Sequence, residues 1–395
     1  MTGPAAPDPV TAALAALRAG LPVKPPGARH IAGIRDNPAC NARRVLDAAG
    51  VDKSAVARRL GQPMPEGQSV FALQRGSRFE QLVKQDSYAE LIRLLRSCGY
   101  PMDAVRVLAL RDLYPIDPRN PTAALALRVA ETRAAIIAMA EGREGAINVI
   151  DGGALEWDFG GAVARLEADG IAWRIGDRIR VIEIKSFPIV DGRADSEKVG
   201  GAAWQSAVYV AALIDLVEAA RLDPGVVSTE ILLIASKNTS LVPTVVPIDV
   251  SRHVRSLRRM LVRRDTIPTI LAALPHGVTL DTEGMDDDEA AEHLASVLEI
   301  LGTNYVPSCL NSCPLAFHCR ERARAAGEPA CLGSDARASL GSVRSLGRAL
   351  ELARQAPADP TESDVAQHLV RAKGLLDAAA LPTAPPVTRR GRNAA

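Results

Sequence analysis

The pattern of apolar and polar residues changes character along the chain. From residue 37 to about 95, and again over 102–142, the pattern is helical, with a break at YPIDPRNP. A block from AINVI through VARLEADGIAWRIGDRIRVIEIKSFPIV then alternates with period two, which predicts β-strands. These two patterns together predict an α/β protein whose N-terminal region is helical.

Strands and helices continue to alternate after this β-rich block. A polar loop at 191–200 leads into the helix AAWQSAVYVAALIDLVEAARL. Strand-like STEILLIAS and LVPTVVPIDV lie on either side of the turn KNTS. A basic helix, SRHVRSLRRMLVRRD, precedes another helix that begins in MDDDEAAEH, where acidic residues suit a helix start.

The changes in pattern divide the chain into six segments. We expect an N-terminal arm, a helical region, a mixed-sheet core, a helical cysteine-rich segment, a helical tail and a disordered basic tail. Their bounds are 1–36, 37–145, 146–270, 271–332, 333–381 and 382–395. No GxxxxGK[ST] phosphate loop occurs, so an ATP-driven motor is not encoded in this sequence.

The run VIEIKSF places two charged residues, Glu183 and Lys185, inside an apolar strand. Burying a charge without a partner costs several kcal/mol or more. The two residues therefore either neutralise each other in the fold or take part in chemistry.

The segment EADGIAWRIGDRIRVIEIKSF predicts a β-hairpin that carries this pair. A three-residue loop at Gly176–Arg178 would put Asp169 opposite Lys185, on the face that also carries Glu183. Cross-strand neighbours lie about 5 Å apart, so the three side chains would converge. A two-residue loop would put Asp169 on the other face, and we expect the three-residue loop.

Two carboxylates and a lysine in one place suit a divalent-metal hydrolase. Mg²⁺ or Mn²⁺ prefers oxygen ligands, here Asp169, Glu183 and the backbone carbonyl of Ile184. Lys185 can position the attacking water and offset negative charge on a phosphate. The competing interpretation is a structural Glu–Lys pair at the end of a strand.

The order of these residues resembles the catalytic core of the PD-(D/E)XK nucleases. WQSAVYV, with Gln205 and Tyr209 four apart on one helix face, is similar to the QxxxY motif of the RecB-like branch. RGSRFEQLV, with Gly76 and Glu80, resembles the upstream helical motif of that branch. The family often has a histidine there that reaches the metal, and this chain has Phe79 nearby.

The resemblance implies a restriction-endonuclease-like core, a mixed sheet flanked by helices, with metal-dependent hydrolysis of DNA as its activity. The activity would be exonucleolytic or directed at single strands or flaps. The implied site residues are Asp169, Glu183, Lys185, Gln205, Tyr209 and Glu80. The first two hold the metal, the glutamine and tyrosine align DNA or the lysine, and Glu80 contributes through water.

Three closely spaced cysteines in CLNSCPLAFHC, with spacing C-x3-C-x5-C, indicate ligands rather than core residues. Zinc sites usually come as C-x2-C pairs. RecB-like nucleases with an iron–sulfur cluster, such as AddB and the CRISPR-associated exonucleases, use one cysteine before the nuclease core and three after it. The resemblance thus implies a [4Fe–4S] cluster on Cys40, Cys309, Cys313 and Cys319, with Cys331 as a rival fourth ligand and zinc as the alternative metal. Cys98 is expected to be a small buried hydrophobe.

Composition adds little to the functional interpretation. The chain has 395 residues, of which 47% are hydrophobic and 24% charged, and its net charge of +1 neither favours nor excludes nucleic acid. No uncharged apolar run reaches the ~18–20 residues that span a bilayer, and the N-terminus lacks the pattern of a secretory signal. We expect a cytoplasmic protein with reduced cysteines and no membrane partner.

Two classes of function follow from these patterns. The first is the nuclease, with DNA as its partner and a separate helicase, or a subunit of a DNA-repair or antiviral-defence complex, beside it. The second is a catalytically inactive iron–sulfur or zinc scaffold that binds DNA within such a complex. The arginines of the basic helix would follow a phosphate backbone in either case, or form a solvated face.

Overall fold

A computed structural model describes residues 8–21, 23–24, 26–62, 70–99, 105–116, 121–158, 163–167, 171–175, 178–238, 240–262 and 267–379. These residues form a mixed α/β structure, as predicted. Contacts between residues divide the chain into two units. The first comprises Met1–Asn304 and Ser308–Phe317, and the second comprises Tyr305–Pro307 and His318–Ala395.

Helices make up most of both units. The first unit contains α1 (Pro9–Arg18), α2 (Ala28–Ala32), α3 (Asn41–Ala48), α4 (Lys53–Arg59), α5 (Val70–Ser97), α6 (Leu110–Leu113), α7 (Pro121–Ala140), α8 (Ser196–Ala219), α9 (Ser251–Val262), α10 (Ile267–Ala272) and α11 (Asp287–Ile300). The remaining helices are α12 (Ala316–Ala325), which begins in the first unit, and α13 (Ser334–Ser339), α14 (Leu346–Ala353) and α15 (Ser363–Ala379) of the second. Short 3₁₀ turns lie at Gly33–Arg35, Pro224–Val226, Pro307–Asn311, Pro329–Leu332 and Pro360–Glu362.

The strands of the first unit form two sheets. They are β1 (Val107–Ala109), β2 (Val149–Asp151), β3 (Ala154–Asp158), β4 (Val163–Glu167), β5 (Ile171–Ile175), β6 (Arg178–Ile189), β7 (Glu230–Lys237) and β8 (Pro243–Asp249). The larger sheet has the order β1-β2-β5-β6-β7-β8, and β3 and β4 pair separately. Strands β6 and β7 are parallel, with α8 as the crossover between them, whereas β5–β6 and β7–β8 are antiparallel.

The central strand β6 presents a different kind of surface on each side. Ile182 and Ile184 pack with Phe79 and Val83 of α5 in a buried apolar cluster. The residues between and beyond them project from the other face, because successive side chains of a strand alternate. That face meets α8, the helix predicted from its apolar pattern.

Helix α8 is long and apolar enough to span a membrane, by length and composition alone. However, 61% of its most apolar stretch is buried inside the structure, with Val208, Ala211 and Ala212 among the buried residues. Burial of this kind is what a core helix packed on a sheet requires.

The register of the β5–β6 hairpin differs from the predicted one. Ile175 pairs with Arg178, so the loop has two residues and the predicted three-residue loop is wrong. Two-residue loops match the twist of paired strands best, and an apolar pattern alone does not reveal the loop length. The two-residue loop removes the argument that placed Asp169 opposite Lys185. Asp169 itself lies outside the described residues.

Other predicted elements are confirmed or corrected by the structure. Helices α8, α9 and α11 and strands β7 and β8 lie where their patterns predicted them. The predicted helix over 102–142 is wrong at Val107–Ala109, which instead forms the strand β1 and pairs in parallel with β2.

The predicted N-terminal arm packs within the first unit, because Leu17 is buried and its carbonyl accepts a hydrogen bond from the Leu280 N–H at 2.8 Å. The predicted disordered tail at 382–395 lies outside the described residues.

Helix α5 offers a matched pair of phenylalanines that tests the packing of this helix on the sheet. Phe79 is 0% exposed in the cluster with Ile182, whereas Phe71, eight residues earlier, is 82% exposed. Phe79→Ala should lower the free energy of unfolding by about 3–5 kcal/mol, because it leaves a cavity. Phe71→Ala should change it by less than about 0.5 kcal/mol. Urea unfolding of both variants measures the difference, and equal losses would contradict the assignment of α5 to the core.

Candidate active site and thiol cluster

Glu183 and Lys185 form an ion pair in the interior of the large sheet. The Lys185 Nζ lies 2.6 Å from the Glu183 Oε1, the glutamate side chain is 0% exposed and the lysine side chain is 18% exposed. Both side chains point toward α8, because residues two apart in a strand share a face. The lysine gives the buried carboxylate the opposite charge that burial demands.

Gln205 of α8 is the third polar side chain of this site. It is 4% exposed on α8, and its Oε1 accepts a hydrogen bond from the Lys185 Nζ at 3.2 Å. A lysine ammonium has three N–H donors. With Glu183 and Gln205 holding the head group from two sides, the remaining donor can be directed at a water molecule or a phosphate oxygen.

Tyr209 lies one helical turn after Gln205, as the QxxxY spacing predicts. Its hydroxyl donates a hydrogen bond to the backbone carbonyl of Glu167, the last residue of β4. The structure therefore brings together Glu183, Lys185 and Gln205, and it uses Tyr209 to hold the chain at the end of β4.

Glu80 and Ile184, the other predicted metal ligands, have different surroundings. Glu80 lies on α5, where its carboxylate accepts hydrogen bonds from the Lys84 Nζ at 2.5 Å and the Arg111 Nη1 at 3.4 Å. Because α5 packs on the sheet face opposite to Glu183, the structure does not bring these two glutamates together. The backbone of Ile184 pairs with Ile234, and the register shifts after it.

A second polar cluster, which the sequence patterns above did not predict, lies between α5 and the end of β2. The Asp151 carboxylate accepts hydrogen bonds from the Lys84 Nζ at 2.7 Å and the Tyr88 hydroxyl at 2.6 Å. Burial and this contact with Asp151 raise the pKa of the Tyr88 hydroxyl. A signal was present in the sequence, since Asp151 ends the apolar run INVID just before two glycines.

The helix α5 is interrupted between the two partners of Asp151. Between Lys84 and Tyr88 the backbone leaves the helical region, and Asp86, Ser87 and Tyr88 have φ of 50°, 55° and 66°. Positive φ is unfavourable for residues other than glycine, so packing must hold this segment in place. The cluster anchors α5 to β2 on the face away from Glu183.

Cys40, Cys309 and Cys313 lie close together in the first unit. Cys40 is the N-cap of α3, and its Sγ accepts a hydrogen bond from the backbone N–H of Arg43 at 3.5 Å. The Cys309 Sγ accepts one from the Asn37 Nδ2 at 3.1 Å. Burial raises the pKa of the Cys40 and Cys313 thiols, and the charge of the nearby Cys309 adds to both shifts.

The hydrogen bonds to these sulfur atoms fit metal ligation. A neutral thiol is only a weak acceptor, whereas a thiolate, the form that binds metal, accepts N–H groups well. A helix N-terminus, where Cys40 lies, further favours negative charge on sulfur. The donor set is therefore suited to a metal centre with thiolate ligands.

The remaining predicted ligands belong to the second unit. Cys319 and Cys331 are both buried there, and burial raises the pKa of the Cys331 thiol. Cys98, the residue expected to be a buried hydrophobe, is half-buried at the end of α5, and burial also raises its pKa. In the described part of the chain, no group of three or more histidine, cysteine or acidic side chains is arranged to hold a metal ion.

Comparisons with known proteins identified no relative of the chain. No protein-family model, curated protein or solved structure matches the chain. The site is therefore interpreted from its own geometry and chemistry.

Proposed function

We propose that the chain is a metal-dependent nuclease that hydrolyses phosphodiester bonds of DNA, of the RecB-like PD-(D/E)XK type. The observation that carries the proposal is the position of Lys185, which contacts the buried Glu183 and Gln205 and has a side chain that is 18% exposed. A lysine fixed in this way on a buried strand suits the positioning of a nucleophile beside a phosphate.

The proposed metal ligands are Glu183 and Asp169. A bound Mg²⁺ or Mn²⁺ ion would polarise the scissile phosphate and generate a nucleophile from water. Asp169 is proposed as the second ligand on the resemblance alone, because the two-residue loop of the hairpin removes the cross-strand argument for its position. Glu80 is engaged by Lys84 and Arg111 and is left out of the proposed ligand set.

The remaining residues of the site act on the substrate and on one another. The Lys185 ammonium donates to the attacking water and offsets the charge that gathers on the phosphate. Gln205 keeps that ammonium from turning away, since its amide oxygen accepts one of the N–H bonds. Tyr209 holds the end of β4 against α8.

The fold supports the proposal at the level of topology. The charged strand β6 and the parallel strand β7 are joined by the buried helix α8, and β5 precedes β6 as an antiparallel neighbour. This arrangement fits a restriction-endonuclease-like core, in which helices cover a mixed sheet and the acidic residues lie on its central strands.

The proposed second cofactor is a [4Fe–4S] cluster with Cys40, Cys309, Cys313 and Cys319 as ligands. Cys331 is the rival fourth ligand, and zinc is the alternative metal. The hydrogen bonds to the sulfur atoms of Cys40 and Cys309 support thiolate ligation. Its role would be structural, tying the C-terminal cysteines to the helical region before the nuclease core.

One observation favours a second candidate, an inactive DNA-binding scaffold that keeps the metal–thiolate centre. Phe79 stands near the place of the family histidine and is fully buried in the apolar core. Neither Phe79 nor the ion-paired Glu80 supplies a ligand from α5, so the site has fewer ligands than a typical member of the branch.

An assay of DNA degradation with Mn²⁺, on single- and double-stranded substrates, separates the two candidates. Lys185→Arg keeps the positive charge beside Glu183, yet it replaces the ammonium with a planar fork of different reach. We expect a rate loss of about 10²–10³-fold for Lys185→Arg and for Lys185→Ala. Lys373→Ala, at an exposed ion pair on α15, should leave the rate unchanged.

Thermal unfolding distinguishes loss of chemistry from loss of fold in this experiment. Lys185→Arg should unfold close to the wild type, because the buried carboxylate keeps a cation beside it. Unchanged rates in both lysine variants would reject the assignment of Lys185. A wild-type protein that binds DNA without degrading it would favour the scaffold.

The cysteines allow a matched test of the cluster. Cys309→Ser should remove most of the iron and sulfide from the freshly purified protein and lower its melting temperature, because ligation contributes to folding. Cys98→Ser, at a half-buried cysteine that is not a proposed ligand, should retain both. Elemental analysis and visible absorbance provide the measurement, and a colourless wild type with zinc and no sulfide would select the zinc alternative.

A further inference from the structure

Three charged residues form a buried cluster beside the thiols of the first unit. The side chains of Arg43, Asp47 and Lys53 are 2%, 3% and 4% exposed. The Lys53 Nζ donates a hydrogen bond to the Asp47 Oδ1, and the Arg43 Nε lies 3.8 Å from the Asp47 Oδ2. Gly33 leaves room for the arginine, because a Cβ at that position would overlap its guanidinium.

This cluster holds more positive than negative charge. Among the described residues, Asp47 is the carboxylate within ion-pair distance of the two cations, so one positive charge is in excess. An unbalanced buried charge costs several kcal/mol. The neighbouring His30 does not add a charge, since burial and the positive charge of Lys53 lower its pKa.

The excess charge lies beside the chain segments that carry the thiols. The Arg43 Nη1 donates a hydrogen bond to the Ser312 Oγ at 3.1 Å, and Ser312 lies between Cys309 and Cys313 in the chain. The backbone N–H of Arg43 also donates a hydrogen bond to the Cys40 Sγ at 3.5 Å. An anion formed on these sulfur atoms is therefore the natural counter-charge for the two cations.

We infer that Arg43 and Lys53 compensate the negative charge of a metal–thiolate centre on Cys40, Cys309 and Cys313, and that they set its reduction potential. The inference rests on the proposed iron–sulfur cluster. A [4Fe–4S] centre with four thiolates carries net negative charge and becomes more negative on reduction. Nearby positive charge therefore favours the reduced state, and it strengthens retention of the metal.

Two substitutions change this charge in opposite directions. Lys53→Met removes a cation and leaves Arg43 balanced by Asp47, so the reduction potential should fall. Asp47→Asn removes the carboxylate and increases the excess, so the potential should rise. The double variant has the same excess of one charge as the wild type, and its potential should return toward the wild-type value.

Voltammetry of the purified full-length protein and iron release to a chelator provide the two measurements. Lys53→Met should release iron about 10–100-fold faster, as expected for a residue that supports metal ligands from outside. Lys24→Met, at an exposed pair with Asp52, is the control and should change neither quantity. Loss of packing alone would move both single variants in the same direction and would not be reversed in the double variant.

The outcomes separate this inference from the cofactor proposal. A wild type without iron and sulfide overturns the cluster, and the inference falls with it. A wild type with the cluster, whose potential is unchanged in both single variants or shifts in the same direction in both, overturns the inference alone. Opposite shifts with recovery in the double variant support it.

Discussion

The contact between Glu183 and Lys185 is the interaction around which the interior of the large sheet is organised. A fully buried carboxylate on β6 requires a cation, and a cation on the same face requires a polar neighbour on the helix that covers it. Gln205 of α8 is that neighbour, while on the opposite face of β6 the side chains of Ile182 and Ile184 pack in an apolar cluster with α5. The chemistry proposed for the site and the layering of the domain thus have the same origin.

The buried charged residues beside the thiols differ from the ion pair of the sheet in their charge balance. In the sheet, the charges of the pair balance, so the ion pair needs no further counter-charge. Beside the thiols, two cations share one carboxylate, and Arg43 also donates hydrogen bonds to the backbone carbonyls of His30 and Ser312. A buried imbalance is understandable where an anionic group binds, and this is the basis of the charge compensation proposed for a metal–thiolate centre.

The sequence predicted those features that depend on local pattern. Alternation identified the charged strand β6, the apolar run identified α8, and the four-residue spacing of Gln205 and Tyr209 placed them on one face. The hairpin register was wrong because it depends on a loop length that one residue changes. Asp151 and the cluster around Asp47 were missed, because their partners are distant in the chain or buried by tertiary packing that the pattern does not record.

The central claim is that Glu183 is a metal ligand and not merely the partner of Lys185. Calorimetric titration of Mn²⁺ into the metal-free site, without DNA, tests it most directly by comparing the wild type with Glu183→Gln. The variant keeps the shape of the side chain and removes its charge. We expect Mn²⁺ binding in the wild type and a weakening of at least about tenfold in the variant, or about 1.4 kcal/mol. Equal affinities in two folded proteins would contradict the claim.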